Sequence, residues 1–538
     1  MRIRWPIFIV ALLLVGWFGY WLASTAVPHP PTTRQKADVQ IEAQITDTTP
    51  ARTPRLRREL RAPSESEDDE ALDAGALPGQ RVLVFDDQAA LERFLVRAGN
   101  DVWILGRLDA LNALRVGFSN ADEFADLDDG DAQASLVYPV NIPAPAEGTV
   151  QDGAVGLGDG LLEWLGISGD NSAWGSGVSI AILDTGVTSN SIFSSKISAI
   201  NLVDLPADLS TQNGHGTAVA SMIIGNGSLT PGVAPGASIL SIRIANDLGQ
   251  SDSFLLAKGI VAAVDAGARL INISLGSPGD SGVVRNAIEY ARAAGSIIVA
   301  ASGNNGIDSV SYPAANKGVI AVGAVDALGN HLDFSNTGRQ VAVSAPGYAI
   351  NAAWTGNEAV SVSGTSFSSP IVVGAIAAVM SQPGSKNLTN VQAMNLVFAY
   401  LNDGGEAGGD EALGGGMPDM GRVLNRATPG IYDAAVASQR IIPPSQGNPY
   451  GQVEVLVQNR GTEPLVNTAI QISTPAGVVN TNITSLAVNA VRTIRVPITR
   501  STAEKMRFDS KVKLTDGVRD AKPSNDRRSE TYIHQPVK

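Results

Sequence analysis

The sequence predicts a doubly wound α/β domain with a mostly parallel sheet, preceded by a small βαββαβ domain and followed by an all-β sandwich. Three observations support this fold class. In the middle of the chain, continuous apolar runs alternate with helical stretches. Before them, short strands and helices follow the order β-α-β-β-α-β. After Pro429, short segments alternate polar and apolar residues between Gly, Asn and Pro turns.

The central domain is predicted at residues 155–428 from apolar runs that show no alternation. Parallel strands that are buried on both faces have this continuous apolar character. The runs are Ser179–Leu183, Ser238–Ile244, Leu270–Ile273, Ser296–Ala301 and Val319–Val322.

The two flanking domains are predicted from shorter elements. The small domain, residues 78–145, is expected to contain strands at Arg81–Phe85, Val102–Leu105, Ala113–Phe118 and Ser135–Ile142, with helices at Gln88–Ala98 and Asp122–Leu127. The sandwich, residues 436–538, is expected to contain strands at Gln452–Val457, Thr468–Ile472, Val491–Val496 and Lys511–Leu514.

The first 26 residues have the pattern of a signal anchor. Two arginines occur within the first four residues, and the uncharged stretch Trp5–Ala23 is long enough to span about 30 Å as a helix. Arginines before such a helix keep the N-terminus in the cytoplasm and direct the rest of the chain across the membrane. The alternative is a signal peptide that is cleaved at the small residues 24–26. Residues 27–77 are predicted to be a disordered linker, because they are rich in Pro, Thr, Arg, Gln and acidic residues.

The overall composition excludes several classes of function. The formal net charge is −13, whereas general nucleic-acid binding requires a basic surface. There is no cysteine, so disulfides and thiol chemistry are excluded. No cluster of His, Asp and Glu has the spacing of a metal site. We therefore expect no cofactor and no nucleic-acid partner.

Three short motifs in the central region bring together the residue types of a nucleophilic hydrolase. Asp184 ends a predicted buried strand in Ile-Leu-Asp-Thr-Gly. His215 lies in Asn-Gly-His-Gly-Thr at the start of a predicted helix, and Ser366 lies in Ser-Gly-Thr-Ser-Phe-Ser-Ser-Pro at the start of another. The spacings are 215 − 184 = 31 and 366 − 215 = 151 residues.

Each of the three residue types has a distinct role in such chemistry. A serine hydroxyl is a poor nucleophile until a neighbouring base accepts its proton. Histidine suits this task, since its unperturbed pKa of ~6.5 lets it accept and return a proton near neutrality. A buried aspartate fixes the imidazole tautomer and stabilises the imidazolium. The sequence therefore predicts Asp184, His215 and Ser366 as a catalytic triad.

The order Asp–His–Ser, with these motifs, resembles the subtilase family over about residues 161–426. The resemblance implies a subtilisin-like fold and a serine endopeptidase that acts on polypeptides. It further implies that Ser274, Leu275 and Gly276 form the substrate-binding strand. Asn304, in Ala-Ala-Ser-Gly-Asn, would donate a hydrogen bond to the oxyanion, together with the N–H of Ser366.

The same resemblance assigns roles to the other domains. The small domain resembles a propeptide that assists folding and inhibits the enzyme, with cleavage expected in residues 143–150. The protein would then be exported, and anchored in the inner membrane through its N-terminal helix with the catalytic domain in the periplasm or outside, until maturation releases it. Structural calcium is left open, with no ligands assigned, because segment 225–232 is short. The C-terminal domain resembles fibronectin-like adhesion modules.

Two other functions are compatible with the sequence. The chain could be a catalytically inactive subtilase that serves as a binding scaffold. It could also be an adhesin that binds through its C-terminal sandwich and uses the peptidase domain only for processing. An acid-active relative with Glu–Asp–Ser chemistry is disfavoured, because His215 occupies the histidine motif.

Overall fold

The computed structural model describes residues 68–99, 101–125, 130–143, 153–193, 196–203, 213–385, 388–443, 451–498 and 505–533. The first domain has a four-stranded antiparallel sheet in the order β2-β3-β1-β4. Its elements are α1 (Asp69–Asp73), β1 (Gln80–Phe85), α2 (Gln88–Ala98), β2 (Trp103–Leu108), β3 (Ala113–Gly117), α3 (Ala121–Ala125) and β4 (Ala132–Leu136).

The two faces of this small sheet are buried against different partners. Leu83 and Phe85 of β1 share a core with Leu91 and Phe94 of α2. On the opposite face, Val82 belongs to the hydrophobic core of the next domain. The small domain therefore packs on the central domain through a shared apolar core.

The prediction of one strand over Ser135–Ile142 is wrong, because the structure divides this segment in two. After β4 the chain forms a separate short strand, β5 (Pro139–Asn141), which pairs with residues 250–252 of the central domain. The chain leaves the small sheet after Leu136, because the backbone of residues 138–141 is hydrogen-bonded to the central domain instead. The end of the small domain is therefore bound to its neighbour.

The prediction of a disordered linker over residues 27–77 is also wrong at its end, where α1 is formed. The carboxylate of Asp68 accepts hydrogen bonds from the N–H of Gly79, at 2.8 Å, and from Arg81, at 2.7 Å. Asp68 and Arg81 are both buried. This tertiary ion pair orders residues 68–77, and local composition does not reveal it.

The central domain contains a seven-stranded sheet in the order β13-β12-β11-β10-β6-β8-β7, and every neighbouring pair is parallel. The prediction of a parallel sheet is therefore confirmed. The elements are α4 (Leu161–Trp164), β6 (Ser179–Asp184), β7 (Ile197–Asn201), α5 (His215–Ile224), β8 (Ser238–Arg243), β9 (Gln250–Asp252), α6 (Ser253–Asp265), β10 (Leu270–Ile273), α7 (Gly282–Ala293), β11 (Ile297–Ala301), β12 (Val319–Val325), β13 (Val341–Pro346), β14 (Ile350–Ala353), β15 (Ala359–Val362), α8 (Thr365–Ser381), α9 (Asn390–Phe398) and α10 (Met420–Asn425).

Helices cover both faces of the parallel sheet. Ile180 and Ile182 of β6 belong to one core, which also contains the apolar residues of α5 and α8. Ala181 and Leu183 point to the other face, into a core shared with α6 and α7. Because successive residues of a strand face opposite sides, this double burial explains the unbroken apolar runs of the sequence.

The C-terminal domain consists of two antiparallel sheets around one apolar core. Three strands are ordered β16-β17-β20 and four are ordered β19-β18-β21-β22. They are β16 (Ala434–Ile442), β17 (Gln452–Asn459), β18 (Leu465–Thr474), β19 (Gly477–Leu486), β20 (Val491–Pro497), β21 (Lys505–Lys513) and β22 (Arg527–Ile533). The largest fully buried side chain of this core is Phe508.

A buried arginine joins the central and C-terminal domains. Arg422 of α10 donates to the carbonyl oxygens of Tyr400 and Leu401, at 3.1 and 2.6 Å, within the central domain. The same guanidinium donates to Asn489 Oδ1, at 2.6 Å, and to the carbonyl oxygen of Arg460, at 3.3 Å, in the C-terminal domain. Burial, followed by the nearby Arg460 charge, lowers the pKa of Arg422 to about 10, so the side chain stays cationic at neutral pH.

Among the described residues, no helix is both long and apolar enough to cross a membrane. The predicted signal anchor, residues 1–26, lies outside the described residues, as does the linker up to residue 67.

We expect Arg422→Met to weaken the junction between these two domains. The substitution removes the guanidinium donor of the Tyr400 and Arg460 carbonyl oxygens, whereas the Leu401 oxygen keeps its hydrogen bond from Gln458. This loss costs about 3 kcal/mol of unfolding free energy. Calorimetry of the full chain should show a lower first unfolding midpoint. The control is Arg426→Met, since Arg426 is exposed and its guanidinium donates to the carbonyl oxygen of Val423 in the preceding turn. Equal midpoints for the two variants would contradict this account of the junction.

Candidate active site

The last residue of strand β6, Asp184, places its buried carboxylate beside His215, the first residue of helix α5. Asp184 is the last residue of β6 and is fully buried. Its Oδ1 and Oδ2 lie 2.9 and 3.0 Å from Nδ1 of His215. Because a carboxylate only accepts hydrogen bonds, Nδ1 donates to Asp184, and in the neutral imidazole Nε2 carries the lone pair. The pair therefore presents a basic nitrogen away from the carboxylate.

Local backbone geometry fixes this imidazole. The N–H of His215 donates to Oδ1 of Asn213 at 3.0 Å, and the N–H of Gly216 donates to Oγ1 of Thr185 at 3.2 Å. A Cβ atom on Gly216 would overlap the carbonyl oxygen of Gly186 and lie 3.2 Å from Asp184 Oδ1. Glycine is therefore required at the second position of the helix, which explains the His-Gly pair of the motif.

The predicted nucleophile begins helix α8 beside this histidine. Ser366 is the second residue of α8 and is 1% exposed. Phe367, the next residue, packs its ring 5.4 Å from the ring of His215, centroid to centroid. Gly364, just before the helix, has φ 138°, a conformation that favours glycine. The structure thus brings the Asp–His pair and the serine-bearing turn together.

The serine hydroxyl is not hydrogen-bonded to the histidine in this conformation. Ser366 Oγ donates to the carbonyl oxygen of Ser274 at 3.3 Å, while His215 Nε2 is buried without a partner. Catalytic hydrogen bonds often form only in the productive complex. Ser274 also binds the turn through its own hydroxyl, which donates to the carbonyl oxygen of Ser366 at 2.7 Å.

The side-chain amide of Asn304 has a defined orientation. Its Oδ1 accepts hydrogen bonds from the N–H and the hydroxyl of Thr365, at 2.9 and 2.7 Å. The amide nitrogen is therefore directed elsewhere, and Nδ2 donates to the carbonyl oxygen of Pro143 at 3.4 Å. An N–H donor that contacts a peptide carbonyl beside a serine is the arrangement that an oxyanion hole needs.

The end of the small domain lies in a groove as an extended strand. The backbone N–H and carbonyl of Asn141 pair with those of Gly276, at 2.9 and 2.8 Å. The N–H of Ile142 donates to the carbonyl of Gly249 at 2.9 Å, and β5 pairs with β9. The segment therefore becomes the middle strand of three, with Gly276 on one side and β9 on the other.

The three residues predicted to bind substrate have different surroundings. Gly276 makes the backbone pairing, and the Pro143 ring lies near its Cα. Ser274 contacts Ser366, whereas the Leu275 side chain is fully buried in the core. The opposite wall, Gly249 and β9, was not predicted from the sequence. The only signal for it is a short polar run, Gln250–Asp252, and that run is too brief to indicate a strand.

Within the described ranges, no group of three or more His, Cys, Asp or Glu side chains could hold a metal ion.

These features together define the class of serine hydrolases. They are a parallel α/β sheet, an Asp–His pair, a serine at the start of a helix and an amide donor. Comparison with known proteins is more specific. The sequence model of the subtilase family, Peptidase S8, matches residues 175–416.

Two relatives and one solved structure illustrate the similarity. A thermostable alkaline protease of Halalkalibacterium halodurans is 36% identical over 252 residues, which cover 46% of this chain and 68% of that protein. Subtilisin Savinase of Lederbergia lenta is 36% identical over 41% of this chain and 82% of its own length. An epidermin leader peptide processing serine protease of Staphylococcus aureus matches with a TM-score of 0.53 over 65% of this chain and 98% of its own, at 21% identity, which shows a shared fold.

The chain belongs to the subtilase family and is a serine endopeptidase. An inactive scaffold and an adhesin are therefore not favoured.

We expect Gly216→Ala to lower kcat/KM about a hundredfold, because the new methyl group displaces the backbone that holds His215. The neighbour it meets is a backbone carbonyl, which cannot rotate away. Peptidase assays should be accompanied by circular dichroism to verify folding. Gly384→Ala is the matched control, because a Cβ there meets no atom within 4 Å. If both variants keep full activity, glycine is not needed beside the histidine.

Proposed function

We propose that Ser366 is the nucleophile, His215 the general base and Asp184 the group that orients it. His215 Nε2 accepts the proton of the Ser366 hydroxyl as Oγ attacks the carbonyl carbon of the substrate. The resulting oxyanion is stabilised by Asn304 Nδ2 and the N–H of Ser366. The imidazolium then protonates the leaving amine, and water hydrolyses the acyl-enzyme by the same steps in reverse.

The main support for this proposal is the position of the Pro143 carbonyl group beside the side-chain amide of Asn304. Its oxygen accepts from Asn304 Nδ2, while Asn141 and Ile142 are paired with both walls of the groove. A substrate residue whose carbonyl meets the oxyanion donor is the one that precedes the cleaved bond. This geometry supports Pro143–Ala144 as the first bond to be hydrolysed.

The small domain is then the inhibitor part of a self-processing zymogen. Arg115 of β3 makes a 2.7 Å ion pair with Asp252, which caps helix α6 through its side chain. Val82 and Ala113 of the small domain are buried in the core that contains α6 and α7. These contacts support a role in assisting the folding of the central domain, since a parallel sheet built from distant segments folds slowly.

The proposed cell compartment rests on the N-terminal sequence. Two arginines followed by the apolar stretch 5–23 support export, with the chain anchored in the inner membrane and the catalytic domain on its outer side. Cleavage after Pro143 separates that stretch from the enzyme. Maturation would therefore release the peptidase into the periplasm or beyond.

The triad assignment predicts a hierarchy of activities. With the magnitudes of subtilisin as a guide, Ser366→Ala and His215→Ala should lower kcat about 10⁶-fold, and Asn304→Ala about 10²- to 10³-fold. Kinetics on a peptide substrate will test this order. Ser368→Ala is the control on the same helix, because its hydroxyl binds the carbonyl of Pro346. Full activity of purified Ser366→Ala would disprove the assignment.

Self-cleavage predicts the first residue of the product. Wild-type protein should begin at Ala144 immediately after the first cleavage, and Ser366→Ala should remain full-length and membrane-bound. N-terminal sequencing and fractionation measure both outcomes. If Ser366→Ala is processed at the same bond, another protease is responsible.

A further inference from the structure

The groove extends beyond the four residues nearest the predicted cleavage site. Counting back from Pro143, Tyr138 is the sixth residue before the bond. Its N–H donates to Oγ of Ser253 at 3.1 Å, and its carbonyl accepts from the N–H of Ser253 at 2.9 Å. These contacts involve only the peptide backbone of residue 138. The central domain can therefore make them with any extended peptide.

The Tyr138 ring packs directly on the backbone of the central domain at Gly279, which has no side chain. A Cβ atom on Gly279 would overlap three carbons of the Tyr138 ring. The turn that presents Gly279 is held by Ser277, whose hydroxyl lies 3.3 Å from both the N–H and the carbonyl oxygen of Gly279. Ser277 is in turn paired through its backbone with Tyr312, at 2.7 and 3.0 Å. The surface under the ring is thus held by contacts within the central domain itself.

The charged neighbour of this surface is the carboxylate of Asp280. Asp280 forms a 2.6 Å ion pair with Arg285 and accepts a hydrogen bond from Asn316 at 2.9 Å. Burial of the ring, followed by the Asp280 charge, raises the pKa of Tyr138, so the phenol stays neutral. The site therefore favours a flat, uncharged side chain over an acidic one.

We propose that Gly279, with Ser253, forms a binding site for an aromatic side chain at the sixth substrate residue before the cleaved bond. This inference rests on the proposed function, because it takes Pro143–Ala144 as the cleaved bond. Tyr138 occupies the site in the uncleaved chain. After maturation the site is open to substrates, and the enzyme prefers extended polypeptides with Tyr or Phe at that position.

Peptide kinetics with the mature enzyme test the preference. The probe is a fluorescence-quenched peptide that copies residues 138–148, compared with peptides that carry leucine or alanine in place of its tyrosine. Partial burial of an aromatic ring corresponds to about a tenfold higher kcat/KM for the tyrosine peptide than for the alanine peptide, with leucine between them. Equal values for tyrosine and alanine, or for tyrosine and leucine, would overturn the proposal.

A glycine variant tests where the preference arises. In Gly279→Ala the methyl group occupies the place of the ring, so the tyrosine peptide should lose its tenfold advantage while the alanine peptide is cleaved as before. The matched control is Gly282→Ala, whose Cβ would lie 3.2 Å from Ser135 Oγ and 3.6 Å from Arg285 Nη2, both outside the peptide. An equal loss with both peptides would refute a side-chain site at Gly279.

The variant itself must first mature, and a second substitution ensures this. Gly279→Ala should slow self-cleavage because it collides with Tyr138, and Tyr138→Ala in the same chain should restore it. Both chains yield the same mature enzyme, since residue 138 is removed. Lack of rescue would contradict the contact. Failure of the proposed function gives a different result, because the wild-type enzyme would then cleave none of the peptides after the residue that corresponds to Pro143.

Discussion

The site depends on one constraint, which is that neighbouring parallel strands end at the same edge of the sheet. Strands β6, β10 and β11 are adjacent in the central sheet. Asp184 ends β6, the segment 274–276 follows β10, and Asn304 follows β11. Helices α5 and α8 begin near the same edge. Groups that are far apart in the sequence are therefore held together by the hydrophobic cores on both faces, in a chain that contains no cysteine.

The central sheet could be predicted because a strand that is buried on both faces consists of an uninterrupted run of apolar residues. The same reasoning does not work for β5 and β9, each of three residues. Gln250, Ser251 and Asp252 are polar, and their strand character depends on a partner more than 100 residues earlier in the chain. Helix α1 was missed for a similar reason, since the Asp68–Arg81 pair that orders it is a tertiary contact.

In the candidate site too, features set by local sequence motifs could be predicted, whereas features set by tertiary contacts could not. The contact of Asp184 with His215 was expected from the motifs and is observed, whereas its catalytic role stays a prediction. The orientation of the Asn304 amide could not be predicted, because Thr365 determines it from another element. Likewise, the sequence could not separate Gly276, which pairs with the extended segment, from Leu275, which is fully buried.

The buried Arg422 has a consequence for how this protein can evolve. Its guanidinium binds backbone groups of the central domain and Asn489 of the sandwich, and it is almost inaccessible to solvent. Recombination that replaced the sandwich with an unrelated module would leave a desolvated cation with part of its partners missing. We therefore expect the peptidase and its sandwich to be exchanged together, as one unit, in any rearrangement of the gene.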